Sequence, residues 1–176
     1  MVPRSTRKNT VKRLIFLDID GVLNSAPYMK SRPEAVKRMD HPDFDQHTLD
    51  PWAIAQLNRI LAETGSAVAL SSSWRLESSK VGEGALKNTE RLMRLRGFNG
   101  RLWQATPDLA KLAGGVRGAE IDAWLNRHEH LGPFSFVILD DRDDMQPWNH
   151  RLVQTTWQNG LTPALASKAI EMLLEG

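Results

Sequence analysis

The sequence has no cysteine. That excludes disulfide staples, thiolate nucleophiles and cysteine metal sites, and it accords with a reducing compartment. It also lacks any apolar run approaching the roughly 20 residues of a membrane span. The first residues have no apolar core of a signal-peptide kind, so a soluble, cytoplasmic protein with no membrane partner is expected. Internal repeats and low-complexity tracts are absent too. Nor is there a large excess of either charge: 23 Lys and Arg stand against 21 Asp and Glu, a formal net charge of +2. The basic bias that exists is local. Arg4, Arg7, Lys8, Lys12 and Arg13 make an arm without acids, and Arg91, Arg94, Arg96 and Arg101 cluster mid-chain. Each group reads as a solvated segment or as a patch that attracts polyanions.

What is present suits one α/β domain. A chain of 176 residues, 41% of them hydrophobic, is long enough to bury a substantial core. Residues 1–10 read as a flexible basic arm and residues 11–176 as a single domain. A first strand spans Lys12 to Leu17, and its unbroken Leu-Ile-Phe-Leu run predicts burial on both faces, as in a parallel sheet. The strand stops at Asp18-Ile19-Asp20-Gly21, where the period of 2 sends both carboxylates the same way. From about 21 to 49 the chain is rich in Pro, Asp, His and Met without a clean period, so a flap with one short helix near Glu34 to Met39 is expected.

Further along, Asp50 caps a helix that starts at Pro51 and ends at Gly65. Ala67 to Leu70 is a second strand running into Ser71-Ser72-Ser73-Trp74-Arg75. A helix follows over Leu86 to Arg96, then a short strand over Leu102 to Gln104 and a helix over Ala119 to His128. The strand Phe134 to Leu139 ends in Asp140 and Asp141, a fifth strand covers Arg151 to Thr155, and Thr162 caps a final helix. Strands alternating with helices predict a three-layer sandwich around a mostly parallel five-stranded sheet with right-handed crossovers. In such a sheet Asp18, Asp20, Ser71, Asp140 and Asp141 converge on the carboxyl edge, where open α/β sheets bind ligands.

The wording Asp-Ile-Asp-Gly-Val-Leu-Asn, Ser-Ser-Ser-Trp-Arg, Arg-Gly-Ala-Glu-Ile and Leu-Asp-Asp, spread over Leu14 to Asp144, resembles the haloacid dehalogenase-like (HAD) superfamily. Within it, the likeness is to the HAD domain of RNA repair ("Swiss Army Knife") proteins. The resemblance implies a Rossmann-like fold with a minimal cap and a phosphatase whose nucleophile is Asp18 and whose general acid–base is Asp20. It implies Mg²⁺ held by Asp18, Asp20 (through its main-chain carbonyl) and Asp140, with Asp141 as an alternative ligand or a support to the others. Phosphate-binding falls to Ser71, with Ser72 one register away, and to Arg117, preferred over Lys111 because it directly precedes a helix.

The gap after the first motif is too short for a cap domain, which suits an open site and a macromolecular end. The expectation is therefore a Mg²⁺-dependent phosphomonoesterase forming an aspartyl-phosphate on nucleic-acid or nucleotide phosphates, with RNA or DNA 3′-ends as partners. The alternatives are a small-molecule phosphatase such as a nucleotidase, and a noncatalytic nucleic-acid-binding module. His41, His47, His128, His130 and His150 show no metal-ligand spacing and are assigned surface or structural roles. Trp52, Trp103, Trp124, Trp148 and Trp157 are assigned to packing ahead of base stacking. Trp74 and Arg75 read as a stacking surface or clamp for substrate, with core packing as the equal alternative for Trp74. Asn24 stabilises a turn ahead of orienting the flap, and Asp143 and Asp144 lie on a solvated loop ahead of one of them supporting the metal shell.

Overall fold

A computed structural model of the chain describes residues 12–37, 47–76, 83–109 and 114–175. The expected N-terminal arm, His41, Met39 and Lys111 lie outside the described residues. Five strands form one sheet: β1 (Lys12–Leu17), β2 (Ala67–Leu70), β3 (Leu102–Ala105), β4 (Phe134–Asp140) and β5 (Leu152–Gln154), in the order β3-β2-β1-β4-β5. Every pairing is parallel. The helices are α1 (Ala26–Ser31), α2 (Pro51–Thr64), α3 (Glu83–Leu95), α4 (Arg117–Arg127) and α5 (Pro163–Glu175). The α/β, all-parallel architecture matches the expectation.

Strand alternation divides the core into two. Ile15 and Leu17 of β1 face one side, with residues of α2, α3 and α5. Leu14 and Phe16 face the other, with Ile121 and Trp124 of α4 and Met145. This is the period of 2 acting on a strand buried on both faces. On the second side Trp124 meets Phe16 edge-on at 5.3 Å and lies stacked 3.9 Å from His128. His128 is thus a packed, buried ring whose Nδ1 is 2.7 Å from the Trp124 carbonyl. Trp124 is packed as expected, whereas Trp52, Trp103 and Trp157 are exposed.

Helix boundaries follow local chemistry where caps are local. Asp50 accepts the Trp52 N–H at 2.8 Å, and Gly65 closes α2 with φ of 66° and its N–H on Leu61. In the segment expected to be a flap, α1 begins at Ala26 under a Ser25 cap, with Pro27 in its first turn, a helix not expected there. Pro in a first turn costs no hydrogen bond. The expected helix near Glu34 is a single 3-10 turn, Glu34–Val36. No cap domain is present among the described residues, and none of their helices is long and apolar enough to cross a membrane.

Candidate active site

The register of the sheet builds the site. Leu17 pairs with Leu70 on one side and Leu139 on the other, so the next residues of three strands, Asp18, Ser71 and Asp140, emerge at the same edge. The ladder extends one step past the strands: Ser71 N–H donates to Leu17 O at 2.7 Å and Asp18 N–H to Leu139 O at 2.9 Å. Connections from β1 run to β2 on one side and return to β4 on the other, which opens a crevice between β1 and β4. Asp18 and Asp140 straddle it.

Carboxylate oxygens of Asp18, Asp140 and Asp141 all lie within 4.8 Å of one another. Asp140 is fully buried and its carboxyl is pushed up to about 7, by burial first and then by the neighbouring Asp18 charge. Burial also raises Asp18, against the pull of a Ser72 hydrogen bond and the Arg117 charge. Asp141 is raised by burial, with the Asp20 charge adding to it. Oδ2 of Asp140 is buried without a hydrogen-bond partner. Crowded, partly desolvated oxygens with an unused acceptor are what a hard divalent cation fits.

Arg117 stands at the first position of α4 and turns its guanidinium into this cluster. Nη2 is 3.8 Å from Asp18 Oδ1, Nε is 3.3 Å from Asp140 Oδ2 and Nη1 is 3.4 Å from Glu120 Oε2. The Nε–Oδ2 approach is not aligned as a hydrogen bond, so Nε too is buried without one. The neighbouring Ser72 side chain draws the Asp18 carboxyl down against its burial, while the Ser71 hydroxyl is buried with no partner. Gly21, at φ of 75°, carries the chain away from Asp20, and a Cβ there would overlap the Asp141 carboxylate. Glycine is required on both counts.

A family model described as the HAD domain in Swiss Army Knife RNA repair proteins matches residues 14–166. The chain belongs to this family. No curated protein and no solved structure gave a match. Membership supports a HAD-type hydrolase, and the acidic cluster of this HAD domain could hold the divalent ion such domains typically use.

Asp20 is not one of the three carboxylates that meet within 4.8 Å of one another, and both of its oxygens are taken up by other donors. Oδ1 accepts Nδ2 of Asn24 at 2.9 Å and Oδ2 accepts Nε1 of Trp74 at 3.0 Å. Asn24 also accepts the Gly21 N–H at 2.7 Å, so it does hold the turn.

Four residues of the HAD domain make site contacts that were not expected from the sequence. Trp74 bonds the catalytic-looking acid. Arg75 donates to Ser72 O at 2.7 Å and pairs with Glu120 at 2.7 Å. Glu120 therefore bridges Arg75 and Arg117, all three being buried. Asp144, read as solvated, accepts the Arg117 N–H at 3.1 Å and so supplies the cap that Val116 lacks. The i, i+3 spacing of Arg117 and Glu120 was a usable signal for one of these contacts; the others join segments far apart in sequence.

Proposed function

We propose that the domain is a Mg²⁺-dependent phosphomonoesterase that works through an aspartyl-phosphate on Asp18 and acts on nucleic-acid or nucleotide phosphates, for instance a terminal 3′-phosphate. The observation that carries the reading is the meeting of Asp18, Asp140 and Asp141 beside the Arg117 guanidinium. A phosphate approaching a carboxylate nucleophile needs cationic charge around it. Asp18, Asp140 and Asp141 would hold the ion by their side chains and Asp20 by its main-chain carbonyl. When bound, Mg²⁺ would neutralise charge on the phosphoryl oxygens.

An Asp18 oxygen attacks phosphorus while the bond to the leaving oxygen breaks, and Asp20 delivers a proton to that oxygen. Asp20 then takes a proton from a water that attacks the same phosphorus. The Asp18–phosphate bond breaks, inorganic phosphate leaves and Asp18 is restored. Arg117, Ser71 and Ser72 hold the nonbridging oxygens. The exposure of Asp20 leaves it open to the leaving group. A macromolecular end is favoured by the lack of a cap domain among the described residues, where the six-residue α1 and one 3-10 turn follow the first motif.

The test compares phosphate release from a 3′-phosphorylated oligonucleotide, nucleoside monophosphates and small esters, with Mg²⁺ and with EDTA. Mg²⁺-dependent release with the highest kcat/KM on the oligonucleotide is expected. A preference for small esters would make this a small-molecule phosphatase. Salt-dependent oligonucleotide binding without turnover would leave a binding module.

A further inference from the structure

The carboxyl group of Asp20 is exposed on one side and pinned on the other by two donors from different segments. Asn24 comes from the turn after β1 and Trp74 from the 3-10 turn, Ser73–Leu76, after β2. An indole N–H and an amide NH₂ only donate, and each carboxyl oxygen keeps a further lone pair. Both oxygens are therefore fixed in place without losing the capacity to carry or receive a proton. With Asn24 alone the group would be held at one end and free to swing.

Satisfying a buried indole does not by itself account for the Trp74 contact. The Nε1 atoms of Trp124 and Trp148 are buried with no hydrogen-bond partner, so the fold tolerates such a group elsewhere. The Trp74 ring is in the core with Ile19 and Leu23, which gives its N–H a rigid mount. Ser72, the residue just before this turn, acts on the Asp18 carboxyl, and Arg75 within the turn pairs with Glu120. One short segment thereby sets the nucleophile, the acid and, through Glu120, Arg117 relative to each other.

We propose that Trp74 is a positioning residue for Asp20, its indole N–H holding the carboxyl in the orientation that passes a proton to the leaving oxygen. The proposal rests on the phosphatase reading above. Proton delivery matters most when the leaving group is a poor one. Orientation of the acid should therefore be felt in proportion to the basicity of that group, which a purely structural role would not produce.

The experiment measures kcat/KM, which reports phosphoryl transfer to Asp18, for the wild type and Trp74→Phe across phosphate monoesters from p-nitrophenyl to simple alkyl. Phe keeps an aromatic ring in the core, smaller than the indole, and deletes the donor. The expected result is a steeper dependence on leaving-group pKa in the variant, with the loss reaching on the order of ten-fold or more on alkyl esters, the worth of a hydrogen bond to a charged group. Parallel lines, or no change, would overturn the proposal and leave the phosphatase reading standing. No turnover by the wild type would overturn both. Should Trp74→Phe not fold, the indole resonances of ¹⁵N-tryptophan-labelled protein decide. Among the six tryptophans, one slowly exchanging N–H should move in Asp20→Asn; if none moves, the proposal fails.

Discussion

Asp140 meets no solvent, lies close to two other carboxylates and faces a guanidinium that does not quite bond it. Its carboxyl, raised to about 7, binds a proton more tightly in the folded than in the unfolded chain. A raised acid favours the fold below its unfolded pKa and loses that contribution as pH climbs through the folded value. The cation-free protein should therefore lose thermal stability from this group between about pH 4 and pH 7, and a bound cation should restore it. Thermal denaturation with and without Mg²⁺ is expected to show a larger rise in Tm from the ion at pH 8 than at pH 5, where protons compete for the same oxygens. Asp18 belongs to the same strained group, raised by burial. Asp18→Asn should abolish phosphate release and, without divalent ion, leave Tm unchanged or higher, because a buried charge is removed while its shape is kept. A sharp fall in Tm would show that the Asp18 charge stabilises the fold.

Elements meet at α4. Its first residue is tied to the loop after β4 by the Asp144 carboxylate, and Gly118 lies so close to Met145 and Gln146 that a Cβ would strike their backbone. Glu120 then fastens the helix to Arg75. Taking away the charge of Glu120 would leave two guanidinium groups buried with one partner fewer, a loss of about 3–5 kcal/mol. Glu120→Gln should accordingly lower Tm by roughly 10 °C, readable by calorimetry.

These ties also show what the sequence discloses and what it hides. The strands and the residues at their ends were legible, because a run such as Leu14 to Leu17 followed by acids writes its burial and its edge into adjacent positions. The start of α4 was not. The expected helix began near Ala119, two residues late, because its cap comes from Asp144, 27 residues away. The bond between Trp74 and Asp20 spans 54 residues and leaves no periodic trace. Polar contacts across crossovers are set by sheet order, and sheet order appears only in three dimensions.

The whole molecule places its chemistry on one edge. Residues from the ends of β1, β2 and β4 and the start of α4 form one hydrogen-bonded and ionic cluster, while the other ends of those strands, near Lys12, Ala67 and Phe134, lie at the opposite rim. Binding of Mg²⁺ with orthophosphate or vanadate should therefore slow amide exchange together in residues 18–24, 71–76, 117–120 and 140–144. The opposite rim around 65–67 and 100–102 should not respond. Protection confined to one of the four segments would break the cluster as drawn. Among the described residues the sheet is covered unequally: α2, α3 and α5 share one face, while α4 is the helix on the other, through Ile121 and Trp124. The roof beam of that face is thus also the arm that aims Arg117, so a greasy-to-small substitution beneath Trp124, far from any phosphate, would slow turnover before it melted the protein.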